Sequence, residues 1–228
     1  MPENVVEDST LRDKPGVFKD RDDAGRVLAS HLQSLELDDP LVLAIPAGGV
    51  PVAARVCRDL SWDFDMVLVR KLQIPGNTEA GFGACTTEGP VFLNHDLVES
   101  IGLTSSQVRE AEEKTRSELR RREQVFRQGR PLPDVGGRHV VVVDDGLASG
   151  YTMQAAVART KERGCRTVTV AAPTAHLSTA ARLARSSDHL VCPNIRAGMS
   201  FAVAEAYEHW YDLSDEDVLN ILEEMEKG

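Results

Sequence analysis

Four consecutive valines, Val140 to Val143, run straight into Asp144-Asp145-Gly146-Leu147-Ala148-Ser149-Gly150-Tyr151-Thr152. Successive side chains of a strand point to opposite faces, so a strand that is apolar at every position has both faces buried. This run therefore calls for a sheet covered on both sides. The strand carries two carboxylates to its end. Small residues follow and let backbone amides converge. A helix then starts near Gly150, bringing its unpaired N–H groups and positive dipole end to the same place. Ser149 and Thr152 add hydroxyl donors.

The same rhythm recurs along the chain. An apolar run at residues 41–45 leads into Pro46-Ala47-Gly48-Gly49, and a helix is predicted over 51–60, where Pro51 suits a first turn. A strand over 65–69 ends in Arg70-Lys71. Strands at 167–172 and 188–192 flank a helix that starts at Ser178. Ala24, Val27, Leu28, His31, Leu32 and Leu35 recur at helical spacing over 21–35. Residues 82–94 read as a hairpin turning at Glu88-Gly89-Pro90. Thr104 and Gln107 form a capping box for a charged helix that runs to about Phe126, and Ser214 with Asp217 forms another for a tail helix. Residues 129–137 read as a loop. The expected fold class is α/β: a central parallel sheet with helices on both faces, plus a small hood and hairpin region. One domain over 1–228 is expected, with 72–138 an inserted flexible loop, hairpin and helix region, and 193–228 a C-terminal hood and tail helix. Ligands of such sheets bind at the carboxyl ends of the strands. Both glycine turns and Arg70-Lys71 fall there.

Composition removes several classes. With 228 residues and 42% hydrophobic content the chain can bury one sizeable core. Its net charge of -10 argues against a nucleic-acid partner, which is bound mainly through Lys and Arg. Cys57, Cys85, Cys165 and Cys192 form no CxxC pair, so four buried, reduced thiols are expected and no zinc site. Residues 1–14 are polar and acidic without the apolar stretch of a signal peptide, and no apolar run reaches membrane-spanning length. A cytoplasmic protein without a membrane partner is the expectation. His31 sits on the apolar stripe of its helix and reads as a boundary histidine.

An anion cradle beside two adjacent carboxylates suits a sugar phosphate, the loop taking the phosphate and the carboxylates the hydroxyls. A lone Asp-Asp pair after a strand would read as a turn or a helix cap. The full string is far more specific. GxxxxGK[ST] is absent, since Tyr151 follows Gly150, and so is GxGxxG. The thirteen-residue string closely resembles the motif with which type I phosphoribosyltransferases bind 5-phosphoribosyl-1-pyrophosphate (PRPP), with Ser149 in place of the commoner Thr. The resemblance implies that Asp144 and Asp145 bind the ribose 2′ and 3′ hydroxyls. It implies that Ala148, Ser149, Gly150, Tyr151 and Thr152 bind the 5′-phosphate. The turn Ile45-Pro46-Ala47-Gly48-Gly49-Val50 resembles the family's pyrophosphate loop, in which backbone at Ala47, Gly48 and Gly49 faces pyrophosphate, often through a cis peptide. Read plainly, it is a strand-to-helix turn. Arg70 and Lys71 resemble the family's basic pyrophosphate contacts; read plainly, they solvate a strand end. Phe18-Lys19-Asp20-Arg21, Ala24-Gly25-Arg26, Arg70-Lys71-Leu72, Pro75-Gly76-Asn77 with Glu79, and the long Arg-rich helix extend the likeness over most of the chain. They resemble a branch of predicted phosphoribosyltransferases of undefined substrate.

What this implies is PRPP-dependent phosphoribosyl transfer to a nitrogen acceptor, a nucleobase and purine rather than pyrimidine, with release of pyrophosphate. Mg²⁺ is implied at Asp144 and Asp145, directly or through water, and Asp145 as the group that takes the acceptor's proton. A homodimer is a family expectation. The alternative is a PRPP-sensing regulator on the same fold without catalysis. The aromatic residues Phe201, Tyr207, Trp210 and Tyr211 cluster late in a chain that is only 5% aromatic. Phe201 and Trp210 are the acceptor-binding candidates, and core packing is the plain reading. Backbone near residues 191–194 would read the base. The stretch His209-Trp210-Tyr211-Asp212 departs from the branch. A loop closing over PRPP is expected between Lys71 and Val140, with Gly76, Gly81 and Gly83 as hinges. The helix bearing Lys114, Arg116, Arg120, Arg121, Arg122 and Arg127, with Arg130 just beyond, reads as a solvated helix braced by Glu112–Arg116 and Glu118–Arg122 pairs. A phosphate clamp or dimer contact is its alternative.

Overall fold

The computed structural model describes residues 2–198 and 200–227; the side chains of residues 77–80, with the predicted Asn77 and Glu79, lie outside the described residues. The main sheet contains β1 (Val5–Val6), β2 (Leu41–Ala44), β3 (Asp63–Met66), β7 (His139–Val143), β8 (Thr167–Ala171) and β10 (His189–Val191). Its order is β1-β10-β8-β7-β2-β3, every pairing parallel. The helices are α1 (Arg21–Leu32), α2 (Gly49–Leu60), α3 (His95–Ser100), α4 (Ser105–Arg127), α5 (Tyr151–Glu162), α6 (Leu177–Ala184) and α7 (Asp215–Lys227). The valine run shows why the sheet is buried twice. Val141 and Val143 face one core with Leu28 of α1 and Val52 and Val56 of α2, while Val140 and Val142 face another with Met153 and Val157 of α5 and Leu183 of α6. Period-two alternation puts each neighbour in the opposite layer.

A separate antiparallel sheet, β4-β5-β6, holds β4 (Val69–Ile74), β5 (Asn77–Thr86) and β6 (Val91–Leu93). It packs against α4 and α5. A third, small sheet pairs β9 (Thr174–His176) with β11 (Asn194–Arg196). The expected α/β class with its parallel sheet is therefore observed, and both capping boxes form.

Several local expectations are corrected. The strand expected over 65–69 is two elements: β3 ends at Met66, and Arg70 and Lys71 lie on β4 of the antiparallel sheet. Gly83 is no hinge; it is a strand position where an added Cβ would lie 2.3 Å from the Phe92 carbonyl. Glu118 pairs with Arg70 at 2.8 Å and Arg122 with Asp215 at 2.8 Å, so the Glu118–Arg122 pair does not form, whereas Glu112–Arg116 does at 2.9 Å. Cys57, Cys85 and Cys192 are buried, Cys165 only partly. His31 is a boundary residue, its Nδ1 2.9 Å from the Val27 carbonyl of its own helix. No helix among the described residues is long and apolar enough to cross a membrane.

Candidate active site

β2 and β7 are adjacent and in step, Ala44 opposite Val143. The glycine turn and the two carboxylates therefore leave the sheet side by side. The Ile45 N–H donates to the Val143 carbonyl at 2.8 Å, and the Pro46–Ala47 peptide is cis. A Cβ added to Gly48 would lie 1.9 Å from Asp145 Oδ2, and one added to Gly49 would lie 2.5 Å from the Val143 carbonyl oxygen. Real Cβ atoms do not approach that closely. Gly48 has ordinary helical dihedrals, φ -59° and ψ -35°, so glycine is required there by proximity to the carboxylate and not by backbone conformation. Two glycines bring a turn within contact of an acidic pair that lies nearly a hundred residues away in sequence.

The carboxylates differ in company. Asp144 accepts from the Asp145 N–H at 2.9 Å. Its burial pushes the carboxyl well above the ordinary range, and the neighbouring charge of Asp145 adds to this. Burial also raises Asp145, but Arg21 opposes the rise. Arg21 Nε donates to Asp145 Oδ2 at 2.9 Å in a pair whose side chains are only 7% and 13% exposed.

Arg21 belongs to a roof over Asp145. Its guanidinium lies 3.9 Å from the Trp210 ring centroid and donates to the Tyr211 carbonyl at 2.9 Å. The Tyr207 hydroxyl donates to the Asp145 carbonyl at 2.6 Å, and the Tyr207 ring contacts both Phe18 and Trp210. Burial, then the charge of Asp145, holds the Tyr207 hydroxyl well above its ordinary range. Backbone bonds zip the chain ends together beneath these rings: Phe18 N–H to the Ala206 carbonyl at 3.0 Å, Glu208 N–H to Phe18 at 2.8 Å, and His209 N–H to Lys19 at 2.9 Å. Sequence reasoning left Arg21 out of the site. Its local signals are its part in the Phe18-Lys19-Asp20-Arg21 likeness and a place one residue after the N-cap Asp20 of α1, which any charged helix start would share.

Beyond the carboxylates, Ala148 and Ser149 are exposed and Gly150 is a left-handed N-cap for α5 at φ 71°. Among the described residues no protein acceptor takes the amides of residues 148–152. Those amides stand at a helix N-terminus, with the Ser149 and Thr152 hydroxyls in the same stretch, which is the donor set that holding a phosphate requires.

The other candidates lie further out. Arg70 is engaged by Glu118 on α4. Lys71 follows it, exposed, on β4. The structure does not gather Phe201 and Trp210 into one cluster: Phe201 meets His176 edge-on at 5.9 Å and lies under Arg196, while Trp210 meets Tyr207 and Arg21. Asn194 is fully buried. Its amide donates to the Leu11 and Lys14 carbonyls, and its Oδ1 accepts from Thr174 at 2.7 Å. Among the described residues no group of three or more His, Cys, Asp or Glu is placed to hold a metal ion.

Comparison with known proteins agrees with this geometry. Residues 19–206 match the model of the phosphoribosyl transferase domain family. Proteins from two Mycobacterium tuberculosis strains, provisionally named phosphoribosyl transferases, are each 38% identical over 207 residues, covering 91% of this chain and 46% of their own length. The chain thus spans about half the length of those curated relatives. The crystal structure of TT1426 from Thermus thermophilus superposes with a TM-score of 0.74 at 37% identity, covering 91% of this chain and 98% of that one.

Proposed function

Because this chain belongs to the phosphoribosyl transferase family, we propose that its site binds PRPP and transfers the phosphoribosyl group to a nitrogen acceptor, releasing pyrophosphate. The observation that carries this reading is the contact between the Gly48-Gly49 turn and the Asp144-Asp145 pair, with the open amides of residues 148–152 beside it. A sugar with a phosphate at one end and a pyrophosphate at the other needs those three features together. The 5′-phosphate takes the loop of Ala148, Ser149, Gly150, Tyr151 and Thr152. The ribose hydroxyls donate to Asp144 and Asp145. The pyrophosphate faces the backbone of Ala47, Gly48 and Gly49, with Lys71 and Arg70 as outer cations.

In the reaction the acceptor nitrogen forms a bond to ribose C1 as the C1–O bond to pyrophosphate breaks, and the bonding pair leaves with the pyrophosphate. The acceptor's N–H proton passes to Asp145, whose burial gives it the basicity for that role. The hard carboxylate oxygens of Asp144 and Asp145 fit Mg²⁺ that keeps waters and shares substrate phosphates, which needs few protein ligands. Mg²⁺ held by Asp144 and Asp145 would supply positive charge to the leaving pyrophosphate. The roof of Arg21, Tyr207 and Trp210 excludes water from Asp145 and gives the acceptor an aromatic face, with a planar nitrogen base as the best fit and Phe201 as a more distant aromatic contact.

The test is a pyrophosphate-release screen with PRPP, Mg²⁺ and a panel of purines, pyrimidines and alkyl amines. Release with a planar base supports the reading in full. Release with an alkyl amine alone removes the nucleobase. Tight PRPP binding without release for any acceptor supports the sensor alternative.

A further inference from the structure

A loop that offers its amides to an anion must turn its carbonyls the other way, where each can take a donor of its own. Three consecutive carbonyls here are each met. The Leu147 carbonyl accepts from the His176 N–H at 3.1 Å, the Ala148 carbonyl from Thr179 Oγ1 at 2.5 Å, and the Ser149 carbonyl from Arg182 Nη2. The donors fall at positions 176, 179 and 182, one face of the β9–α6 segment. Arg182 also donates to Gln154 Oε1 at 2.9 Å and lies 5.3 Å over the Tyr151 ring, so it grips the loop on both sides of Gly150. A Cβ at Gly150 would lie 2.5 Å from Thr179 Cγ2 and 3.2 Å from Arg182 Nη2. Only glycine lets α6 approach this closely.

From this we infer that Thr179 and Arg182 are positioning residues: α6 is the template that turns the loop's carbonyls inward and so leaves the amides of residues 148–152 facing the 5′-phosphate. The inference rests on the PRPP reading of that loop. Neither side chain has to touch the substrate. Their effect is selective: their hydrogen bonds go to Ala148, Ser149 and Gln154, whereas the turn at Gly48 and Gly49 rests against Asp145 and Val143.

Ribose 5-phosphate and inorganic pyrophosphate separate the two ends of the site. Thr179→Val, close to isosteric, should weaken ribose 5-phosphate binding about tenfold, the value of one good hydrogen bond, and leave pyrophosphate affinity unchanged. Arg182→Met should weaken it by about ten- to a hundredfold, as for a charged donor. Thr179→Ser keeps the hydroxyl and should restore binding; Arg182→Lys should restore it in part. Folding of each variant is checked by its thermal midpoint. Should Thr179→Val fail to fold, the Ser and Lys variants still rank the donors. Equal ribose 5-phosphate affinity in folded Thr179→Val and Arg182→Met overturns the inference. So does equal weakening in the Val and Ser variants, which would mean packing and not donation. If wild-type protein binds no ribose 5-phosphate at all, the reading of the loop falls, and this inference with it.

Discussion

Residues 140–152, the proposed phosphate end of the site, form one unbroken stretch, strand, carboxylates, loop and helix start in order. The roof over Asp145 needs Phe18 and Arg21 from one end of the chain and Tyr207, Trp210 and Tyr211 from the other. The family match, residues 19–206, contains the whole phosphate end but stops short of Phe18, Tyr207 and Trp210. The two ends also treat charge differently. Among the described residues Asp144 has no ion pair of its own, although the charge of Arg21 reaches it, while Asp145 is paired with Arg21. The proposed phosphate end is written in one local stretch, whereas the roof is assembled from segments nearly two hundred residues apart.

The comparison can be broken at four places, the largest effect first. Arg21→Met removes the cation and leaves a buried carboxylate unpaired, which costs about 3–5 kcal/mol of stability at neutral pH. The sign with pH follows: without Arg21, the Asp145 pKa rises further above its unfolded value. Its contribution is then fully present below the unfolded pKa and lost as pH rises through the folded one. The deficit against wild type should therefore shrink in acid. Urea titrations at several pH values check this, and a deficit independent of pH would remove the electrostatic account.

Gly48→Ala places a methyl inside the space of the Asp145 carboxylate. PRPP affinity should fall at least about a hundredfold, or about 2.7 kcal/mol, with a smaller change in thermal midpoint. A large loss of stability with normal affinity would make the turn purely structural.

Asp144→Asn should behave oppositely to Arg21→Met. A carboxyl whose folded pKa is raised stabilises the fold below its unfolded pKa and loses that contribution as pH rises through the folded value. The Asn variant lacks this loss, so its thermal midpoint should match or exceed wild type, with the gap opening toward neutral pH, while PRPP binding fails. A variant less stable at every pH would contradict the contrast between the two aspartates.

Trp210→Ala removes the ring over Arg21, an interaction worth about 0.5–2 kcal/mol. The acceptor KM should rise several-fold and PRPP affinity should hold. Phe201→Ala should change acceptor KM less, since Phe201 packs on His176 and Arg196 and away from Arg21. Equal effects would merge the two aromatics into one acceptor surface.

The legibility of the sequence follows the same divide. The valine run, the acidic pair and Gly150 specify strand, loop and helix through contacts within a few residues, and the observed β7 contains the whole valine run. Capping boxes at Thr104 and Ser214 are likewise local. The split between β3 and β4 was not legible, because the apolar run of residues 66–69 continues unbroken across the crossing from one sheet to the other. Arg21, Thr179 and Arg182 were not legible as site residues for a related reason. Each sits on an ordinary helix face, and its role comes from a partner 31 to 124 residues away. Gly48 was legible as a turn, but the need for glycine there comes from Asp145.

The claim that the two aspartates and the glycine turn form one PRPP site is tested most directly by calorimetric titration of PRPP with Mg²⁺ into wild-type protein and into the Asp144→Asn, Asp145→Asn double variant. The account predicts saturable binding by wild type and none by the variant, with circular dichroism showing the variant folded. Unchanged PRPP affinity in the folded double variant would contradict it.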